Sequence, residues 1–267
     1  MADDSLYLNR GGDRTSAPPD APVLVLLHGL GATAEVWDGL TALLPGAWPG
    51  PWIAPDLPGH GRSEPLPAYS FGGLAAEVAR ALRPEVAPGA PVAVLGHSLG
   101  GVVALTLGTG WFGLAPVAVA GLGIKIRWSS EDLTRAAETA LRPPRAFAHR
   151  AEAADRALKL AGLAGLLPPT GPFTDAAVTP TEGGWRPVLD PAAFAVGAPD
   201  VDGLLRAARA AVTLAAGESD PMCPPEHMAA LVPDPLVLPG LGHNAHVEAP
   251  AALLALVERL AVARPRA

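Results

Sequence analysis

The sequence predicts an α/β fold: a mostly parallel central sheet flanked by helices, with an inserted helical cap. Short apolar runs rich in Val, Leu and Ala alternate with segments whose apolar residues recur at helical spacing. The runs are apolar at consecutive positions, which is typical of strands buried on both faces of a parallel sheet. This alternation stops between residues 122 and 201, where helical stretches rich in Ala, Leu and Arg precede a segment rich in Pro and Gly. Strand–helix alternation with one such interruption favours an α/β domain with an insertion.

Composition limits the class of protein. The chain has 267 residues, of which 49% are hydrophobic, and this is enough for one domain with a sizeable core. We therefore predict a single domain over residues 1–267, with residues 122–201 as the cap within it. The net charge of −7 argues against a nucleic-acid partner, which selects for a basic face. Cys223 is the only cysteine, so an internal disulfide and a thiolate metal cluster are excluded, and a small buried thiol is expected.

The sequence predicts a cytoplasmic protein with no membrane partner. Met1 to Asp4 are acidic and are followed by polar residues, unlike a secretion signal. Residues 102–124 carry no charge and approach the length of a membrane span. However, glycines and Pro116 divide this stretch into a short helix, a turn and a strand, so we assign it to the core.

The elements are predicted in chain order from these patterns. After a short first strand at 5–9, the buried strands are expected at Val23–Leu27, 52–54, 92–95, 116–120, 211–215 and Leu236–Leu238. The helices of the main body are expected at 35–44, 74–82, Leu99–Leu107 and 251–262, and those of the cap at 133–141 and 151–163. In such a sheet, functional residues cluster at the carboxyl ends of the strands.

The sequence Gly-His-Ser-Leu-Gly at 96–100 follows a predicted strand and opens a predicted helix. A serine on a sharp strand-to-helix turn needs small neighbours, because the backbone is strained and lies close to the helix. The first N–H groups of the helix also favour a developing oxyanion. Ser98 is therefore the predicted nucleophile.

A serine hydroxyl becomes a good nucleophile when a base removes its proton. Seven histidines compete for this role. His243 follows the strand at 236–238 through a flexible Pro-Gly-Leu-Gly loop that is able to reach the nucleophile. His246 shares that loop and is the alternative. We predict that His243 is the base.

The base needs an acid that fixes its tautomer and stabilises its charged form. Asp220 follows the strand at 211–215 and precedes His243 in the chain, so it meets this requirement. Glu218 lies in the same loop and is the alternative. We predict that Asp220 is the acid.

The order Ser98, Asp220, His243 and the motifs around them resemble the α/β-hydrolase fold family. The resemblance covers about residues 23–260. It rests jointly on the loops at 28–31 and 56–63, the turn at 96–100, the loop at 217–221, and the loop at 242–243 with Glu-Ala-Pro at 248–250. Two departures from the family pattern are a reduced first hairpin and the lack of the His-Gly-Gly-Gly run of some lipases and esterases.

The resemblance implies that the backbone N–H groups of Leu30 and Leu99 form an oxyanion hole. In the same segment, His28 and Gly29 are candidate substrate contacts, with packing as the alternative for His28. A serine at this turn excludes the family's dehalogenases and epoxide hydrolases, which use a carboxylate there. The implied activity is hydrolysis of a carboxylic ester of an apolar small molecule through an acyl-enzyme intermediate. Lactone opening, amide cleavage and C–C bond hydrolysis are alternatives on the same triad. The sequence shows no metal-binding constellation and no cofactor-binding loop, so no cofactor and no metal are expected.

The cap is expected to select the substrate. Among its aromatic residues, Trp128 and Trp185 are candidate pocket residues, with simple packing of the cap as the alternative. Residues 124–160 contain eight Lys or Arg against five Asp or Glu, so a basic face is present on an acidic protein. This face could guide a coenzyme A or carrier-protein thioester, which makes a thioesterase the alternative enzyme. A small-molecule receptor on the same scaffold is the alternative of a different class, and the sequence does not decide the oligomeric state.

Overall fold

The computed structural model of the chain describes residues 6–12 and 21–263. Met1 to Asp4, on which the absence of a secretion signal was predicted, lie outside the described residues, as does Ser5 of the predicted first strand. That strand begins at Leu8 instead and runs antiparallel to the strand at 52–55.

A seven-stranded sheet forms the centre of the molecule, and its order is β1-β3-β2-β4-β5-β8-β9. All neighbours run parallel except β1 and β3. The strands are β1 Leu8–Gly11, β2 Val23–Leu27, β3 Trp52–Pro55, β4 Val92–His97, β5 Ala118–Leu122, β8 Ala211–Gly217 and β9 Leu236–Leu238; a separate pair comprises β6 Val178–Thr181 and β7 Gly184–Pro187.

Helices cover the sheet. They are α1 Asp38–Thr41, α2 Phe71–Leu82, α3 Leu99–Leu107, α4 Ser130–Ala140, α5 Arg150–Leu160, α6 Pro172–Ala177, α7 Val201–Ala207, α8 Pro225–Ala229, α9 Ala245–Glu248 and α10 Leu254–Val262. Short 3₁₀ turns at Ala34–Trp37 and Pro250–Leu253 replace the first part of two predicted helices. The predicted mostly parallel α/β sheet is confirmed.

Strand β2 shows why consecutive apolar residues are needed. Val23, Val25 and Leu27 belong to the core on one face of the sheet, while Leu24 and Leu26 belong to the core on the other. Since side chains of a strand alternate between faces, both sets must be apolar when helices cover both sides. All five residues are buried.

The order of the strands creates a crevice between β2 and β4. From β2 the chain moves outward to β3, and it then returns to place β4 on the other side of β2. The loops that follow β2 and β4 therefore diverge at the carboxyl ends of the strands. In open α/β sheets, ligands bind at such a point.

The segment between β5 and α7 contains the two predicted helical stretches, as α4 and α5, followed by α6 and the hairpin β6–β7. The hairpin was not predicted, because Pro180 and Pro187 interrupt the pattern of its strands. Buried residues of α5, among them Ala154 and Leu158, share one apolar core with Leu26 of the central sheet. The end of α5 also approaches the loop after β2, since a Cβ at Gly31 would lie 3.0 Å from the Leu160 carbonyl oxygen.

The uncharged stretch at 102–124 forms most of α3, a glycine-rich turn and β5, as predicted. Within residues 6–12 and 21–263, no helix combines the length and apolar character that crossing a membrane requires.

Gly100 packs directly against the end of β2. A Cβ at this position would overlap the backbone carbonyl oxygens of Leu27 and His28, and backbone atoms of a buried strand cannot move aside cheaply. We expect Gly100→Ala to lower the free energy of unfolding by about 1–3 kcal/mol, measured by urea denaturation.

Gly183 in the β6–β7 turn provides the control, because nothing lies within 4 Å of its Cβ position. Gly183→Ala should change the free energy of unfolding by no more than about 0.5 kcal/mol. Equal losses in the two variants would contradict this account of the packing.

Candidate active site

Ser98 occupies the sharp turn between β4 and α3. Its backbone has φ 50° and ψ −114°, and it is the only non-glycine residue with positive φ among the described residues. The Ser98 N–H donates to the Leu122 carbonyl oxygen at 2.8 Å, which ties the turn to β5. A Cβ at Gly96 would overlap the Gly100 carbonyl group, so the turn requires glycine there. The side chain of Ser98 lies at the carboxyl end of the sheet and is partly exposed.

The loop after β2 lies directly against this turn. A Cβ at Gly29 would be 3.4 Å from Ser98 Cβ, which places the predicted substrate contact Gly29 beside the serine. In the described part of the chain, the Leu30 N–H has no hydrogen-bond acceptor. The Leu99 N–H is the first of α3, and first-turn N–H groups have no acceptor within a helix. Two backbone donors are thus available on the loops that flank Ser98.

His243 and Asp220 form a hydrogen-bonded pair. His243 Nδ1 lies 2.9 Å from Asp220 Oδ2, and the Asp220 side chain is fully buried. The other oxygen of Asp220 accepts the N–H groups of Met222 and Cys223, at 2.8 and 3.2 Å. These bonds fix the carboxylate in the orientation that receives the Nδ1–H of the ring. Burial and the charge of Asp220 also raise the pKa of the Cys223 thiol to about 12, so this cysteine stays protonated.

The alternative acid, Glu218, is turned away from His243. Its side chain accepts the Gly240 N–H at 2.9 Å, and the residue is exposed. It therefore supports the loop between β9 and His243 and does not contact the ring. Of the two candidate acids, only Asp220 is bonded to His243.

The alternative base, His246, lies in the interior and is not hydrogen-bonded to a carboxylate. It is 1% exposed, and its ring packs against His97 and Trp37, with centroids 4.2 and 4.8 Å away. Neither ring nitrogen has a hydrogen-bond partner among the described residues. Burial lowers the pKa of His246 to about 3, so the ring is neutral at pH 7. His246 therefore lacks the bonded acid that a serine hydrolase base requires.

His28, a predicted substrate contact, has both ring nitrogens bonded within the protein, and its role toward a substrate stays a prediction. Its Nε2 accepts the Leu57 N–H at 2.8 Å, so Nδ1 carries the proton and donates to the Gly29 carbonyl oxygen, also at 2.8 Å. The residue is fully buried, and this burial lowers its pKa to about 4. With both nitrogens engaged, the ring has no free polar atom for a substrate. It positions the loop that carries Gly29 and Leu30.

Two positioning residues were not predicted. His97 Nε2 donates to the His243 carbonyl oxygen at 2.9 Å, and the two rings pack with centroids 4.7 Å apart. Glu248 accepts the N–H groups of Gly242 and Asn244, at 2.7 and 3.0 Å, and so clasps the loop on both sides of His243. The available signals were the position of His97 next to the serine and that of Glu248 shortly after the base.

The two candidate tryptophans of the cap have different partners. Trp128 Nε1 donates to the Lys125 carbonyl oxygen at 2.9 Å, and the Lys125 ammonium lies over the Trp128 ring. Trp185 is in β7, where its backbone pairs with Phe147. Among the described residues, neither indole forms a hydrogen bond or a ring contact with Ser98 or His243, so their roles as substrate contacts stay predictions.

A groove of about 840 Å³ lies on the cap between the end of α4, α5 and the segment after β7; we call it the cap groove. Phe147 and Phe194 contribute aromatic walls. Its inner end includes Leu160 and Leu189, which also border a small void against Gly31 in the loop after β2. The charged residues lining the groove are Arg142, Arg145, Arg156, Lys159, Glu152 and Asp155.

The sequence matches the alpha/beta hydrolase family over residues 24–256, most of the chain. The chain belongs to the alpha/beta hydrolase family. The match includes both strands of the crevice, Ser98, Asp220 and His243.

Relatives within the alpha/beta hydrolase family include esterases. The pimeloyl-[acyl-carrier protein] methyl ester esterase of Neisseria meningitidis serogroup B is 36% identical over 100 residues, which are 38% of this chain and 36% of the relative. The alignment thus spans about a third of the length of this curated relative. Among solved structures, E-2-(acetamidomethylene)succinate hydrolase has a TM-score of 0.76 at 22% identity and covers 96% of this chain and 94% of its own. An esterase of Mycobacterium tuberculosis has a TM-score of 0.68 at 25% identity, with 94% and 89% covered.

The buried histidines of this alpha/beta hydrolase generate a pH prediction. Burial lowers the pKa of His28 to about 4, those of His60 and His246 to about 3, and that of His97 well below its usual range. As pH falls below 6.5, the unfolded chain binds protons at these rings and the folded chain does not. The free energy of unfolding should therefore decrease between pH 6.5 and about 4.

The variant His246→Phe tests one member of this set, because phenylalanine keeps the ring contacts with His97 and Trp37. Urea denaturation at pH 7 and pH 5 should show that the loss of stability on acidification is smaller than in the parent chain by about 2 kcal/mol. The same pH dependence in both proteins would show that His246 is not neutral in the folded state.

Proposed function

We propose that the protein is a cytoplasmic serine hydrolase that cleaves a carboxylic ester of an apolar small molecule through an acyl-enzyme intermediate. The observation that carries the proposal is the pairing of His243 with the buried Asp220. His97, the residue before Ser98 in its strained turn, is bonded to the His243 carbonyl oxygen and packs against the His243 ring. The matched family and the esterases among the relatives support the same reaction class. Ser98, Asp220 and His243 are the proposed nucleophile, acid and base.

In the first half of the reaction, Ser98 Oγ attacks the acyl carbonyl carbon while His243 Nε2 takes the hydroxyl proton. The Nδ1–H of the ring remains bonded to Asp220, whose negative charge stabilises the imidazolium. The N–H groups of Leu30 and Leu99 donate to the oxyanion, and each such donor typically lowers the barrier by about 3–4 kcal/mol. His243 then returns the proton to the leaving alcohol, and the acyl group remains on Ser98.

In the second half, His243 removes a proton from water, and the resulting hydroxide attacks the acyl-enzyme carbonyl carbon. The tetrahedral intermediate collapses, Ser98 recovers its proton from His243, and the carboxylic acid leaves. In the structure Ser98 Oγ and His243 Nε2 do not share a hydrogen bond. Such contacts commonly tighten when substrate binds.

Ser98→Ala and Asp220→Asn test the proposal. We expect the parent chain to be labelled by a fluorophosphonate probe and to hydrolyse p-nitrophenyl esters over repeated turnovers. Ser98→Ala should abolish labelling and lower kcat by roughly a millionfold, because the acyl-enzyme cannot form. Asp220→Asn should lower kcat by roughly ten-thousandfold, because the ring loses its correct tautomer.

Ser130→Ala, at an exposed serine at the start of α4, serves as the matched control and should retain both labelling and turnover. A parent chain that is not labelled would contradict the assignment of Ser98. A single turnover with retained product would instead favour the receptor. An ester series of increasing acyl length would then define the acyl group accepted.

A thioesterase acting on a coenzyme A or carrier-protein thioester is the second candidate, and the cap groove favours it. Arg142, Arg145, Arg156 and Lys159 line the groove, and none forms an ion pair with another described residue. These four cations exceed the two carboxylates of the same groove on a protein of net charge −7. Unpaired cations attract a phosphate-bearing ligand. The name of the Neisseria relative, which aligns over a third of its length, also refers to an acyl-carrier protein.

Reversing one groove charge separates the two candidates. For a thioesterase, Arg156→Glu should raise KM for a hexanoyl-coenzyme A thioester roughly tenfold and leave KM for the neutral hexanoyl thioester of N-acetylcysteamine unchanged. The control Arg83→Glu makes the same charge change at an exposed position at the end of α2, outside the groove. Equal KM changes in the two variants would contradict a role for the groove.

A further inference from the structure

A second cleft lies on the far side of His246 from the candidate active site. It has a volume of about 180 Å³, comparable to about six water molecules at about 30 Å³ each. His246 lines it, and the His97 ring lies between His246 and His243, at centroid distances of 4.2 and 4.7 Å. Most of its walls are apolar and are formed by Val36, Leu167, Pro168, Pro172, Phe173, Val247 and Pro250. We call it the Glu35 cleft, after an acidic residue at its edge.

His246 gives this cleft an unpartnered polar group. The residue is 1% exposed, and both of its ring nitrogens lack a hydrogen-bond partner in the described chain. A buried polar atom without a partner costs about 1–3 kcal/mol, so such atoms are rare in folded proteins. A neutral imidazole offers one nitrogen as an acceptor and the other as a donor. A ligand in the cleft is a source of the missing partner.

The same cleft carries an excess of negative charge. One carboxylate oxygen of Glu35 pairs with Arg62, while the other is buried and has no partner among the described residues. Asp38 lines the cleft as well, and its pKa is raised by desolvation and by the charge of Glu35. The Arg62 guanidinium is shared with Asp56, which it contacts at 3.2 Å. One cation therefore faces three carboxylates in this region.

We infer that the Glu35 cleft binds a small primary ammonium ion that carries an apolar chain. The ammonium group has three N–H donors, which match the free Glu35 oxygen, the Asp38 carboxylate and the acceptor nitrogen of His246. The chain covers the apolar wall that includes Phe173 and Pro250. An anion is repelled by the carboxylates. A metal ion lacks ligands, since no group of three or more His, Cys, Asp or Glu in residues 6–12 and 21–263 is arranged to hold one.

Calorimetric titration of the full chain at pH 7 with n-butylammonium chloride tests the inference. n-Butanol, which has a similar shape and no charge, is the matched ligand control. We expect saturable binding of one n-butylammonium per chain and no saturable binding of n-butanol. The measurement does not depend on hydrolysis, so its outcome is distinct from that of the proposed function.

Two variants locate the site. Asp38→Asn removes one charge at an exposed position and should weaken binding roughly tenfold, whereas Thr170→Trp fills the cleft from its exposed loop and should abolish binding. Glu258→Gln, an exposed carboxylate on α10, removes the same charge outside the cleft and should leave the affinity unchanged. Far-ultraviolet circular dichroism confirms that each variant is folded.

The inference is overturned if n-butylammonium gives no saturable heat or if n-butanol binds as tightly. It is also overturned if either Asp38→Asn or Thr170→Trp retains the parent affinity, or if Glu258→Gln weakens binding as much as Asp38→Asn does.

Discussion

Ser98 lies in a strained turn between β4 and α3, with a φ of 50°. A non-glycine residue with positive φ costs on the order of 1–3 kcal/mol, and the surrounding structure must hold it in place. Here β4 and α3 are buried along their whole lengths, and the bond from the Ser98 N–H to Leu122 joins the turn to the next strand. Gly100 lies close to the carbonyl groups at the end of β2, and this packing also holds the turn in place. The Ser98 hydroxyl group therefore lies at the crevice between β2 and β4, where the direction of the strand connections reverses. The loop that carries Gly29 and Leu30 lies beside it.

Buried neutral histidines surround this turn and connect the loops to one another. His28 joins the loop after β2 to the loop after β3, through Gly29 and Leu57. His97 joins the turn to the base loop through the His243 carbonyl group. Neutral imidazole suits both positions, because its N–H donates a hydrogen bond without bringing a charge into the core. In His28 the second nitrogen also accepts a hydrogen bond. The cost is a fold whose stability depends on pH below neutrality.

The segment between β5 and α7, which carries the cap groove, differs in composition from the site. The core that it shares with the sheet consists of small and apolar residues of α5, such as Ala153 and Leu158, whereas α4 has no buried residue. The basic side chains are consequently concentrated on the outward parts of the cap, where the cap groove forms. Its inner end at Leu160 and Leu189 meets the region of Gly31, one residue beyond Leu30. A ligand lying in the groove would therefore extend toward the proposed oxyanion donors.

The sequence pattern predicts the main strands and helices along the chain, the turn at Ser98, and a pairing of Asp220, rather than Glu218, with His243. The catalytic roles of these three residues stay predictions. The elements, the turn and the pairing follow from local rules: strand and helix periodicity, glycine at a sharp turn, and polar residues after buried strands. The packed fold is needed to show which rings are buried and neutral, because the burial of His28 and His246 depends on contacts between residues far apart in the chain. The packed fold also reveals the hairpin β6–β7, whose prolines interrupt the strand pattern of the sequence. It reveals the Glu35 cleft as well, because three separate segments of the chain line it. A pattern along the chain specifies what each element is, whereas the space between elements is set only when they pack.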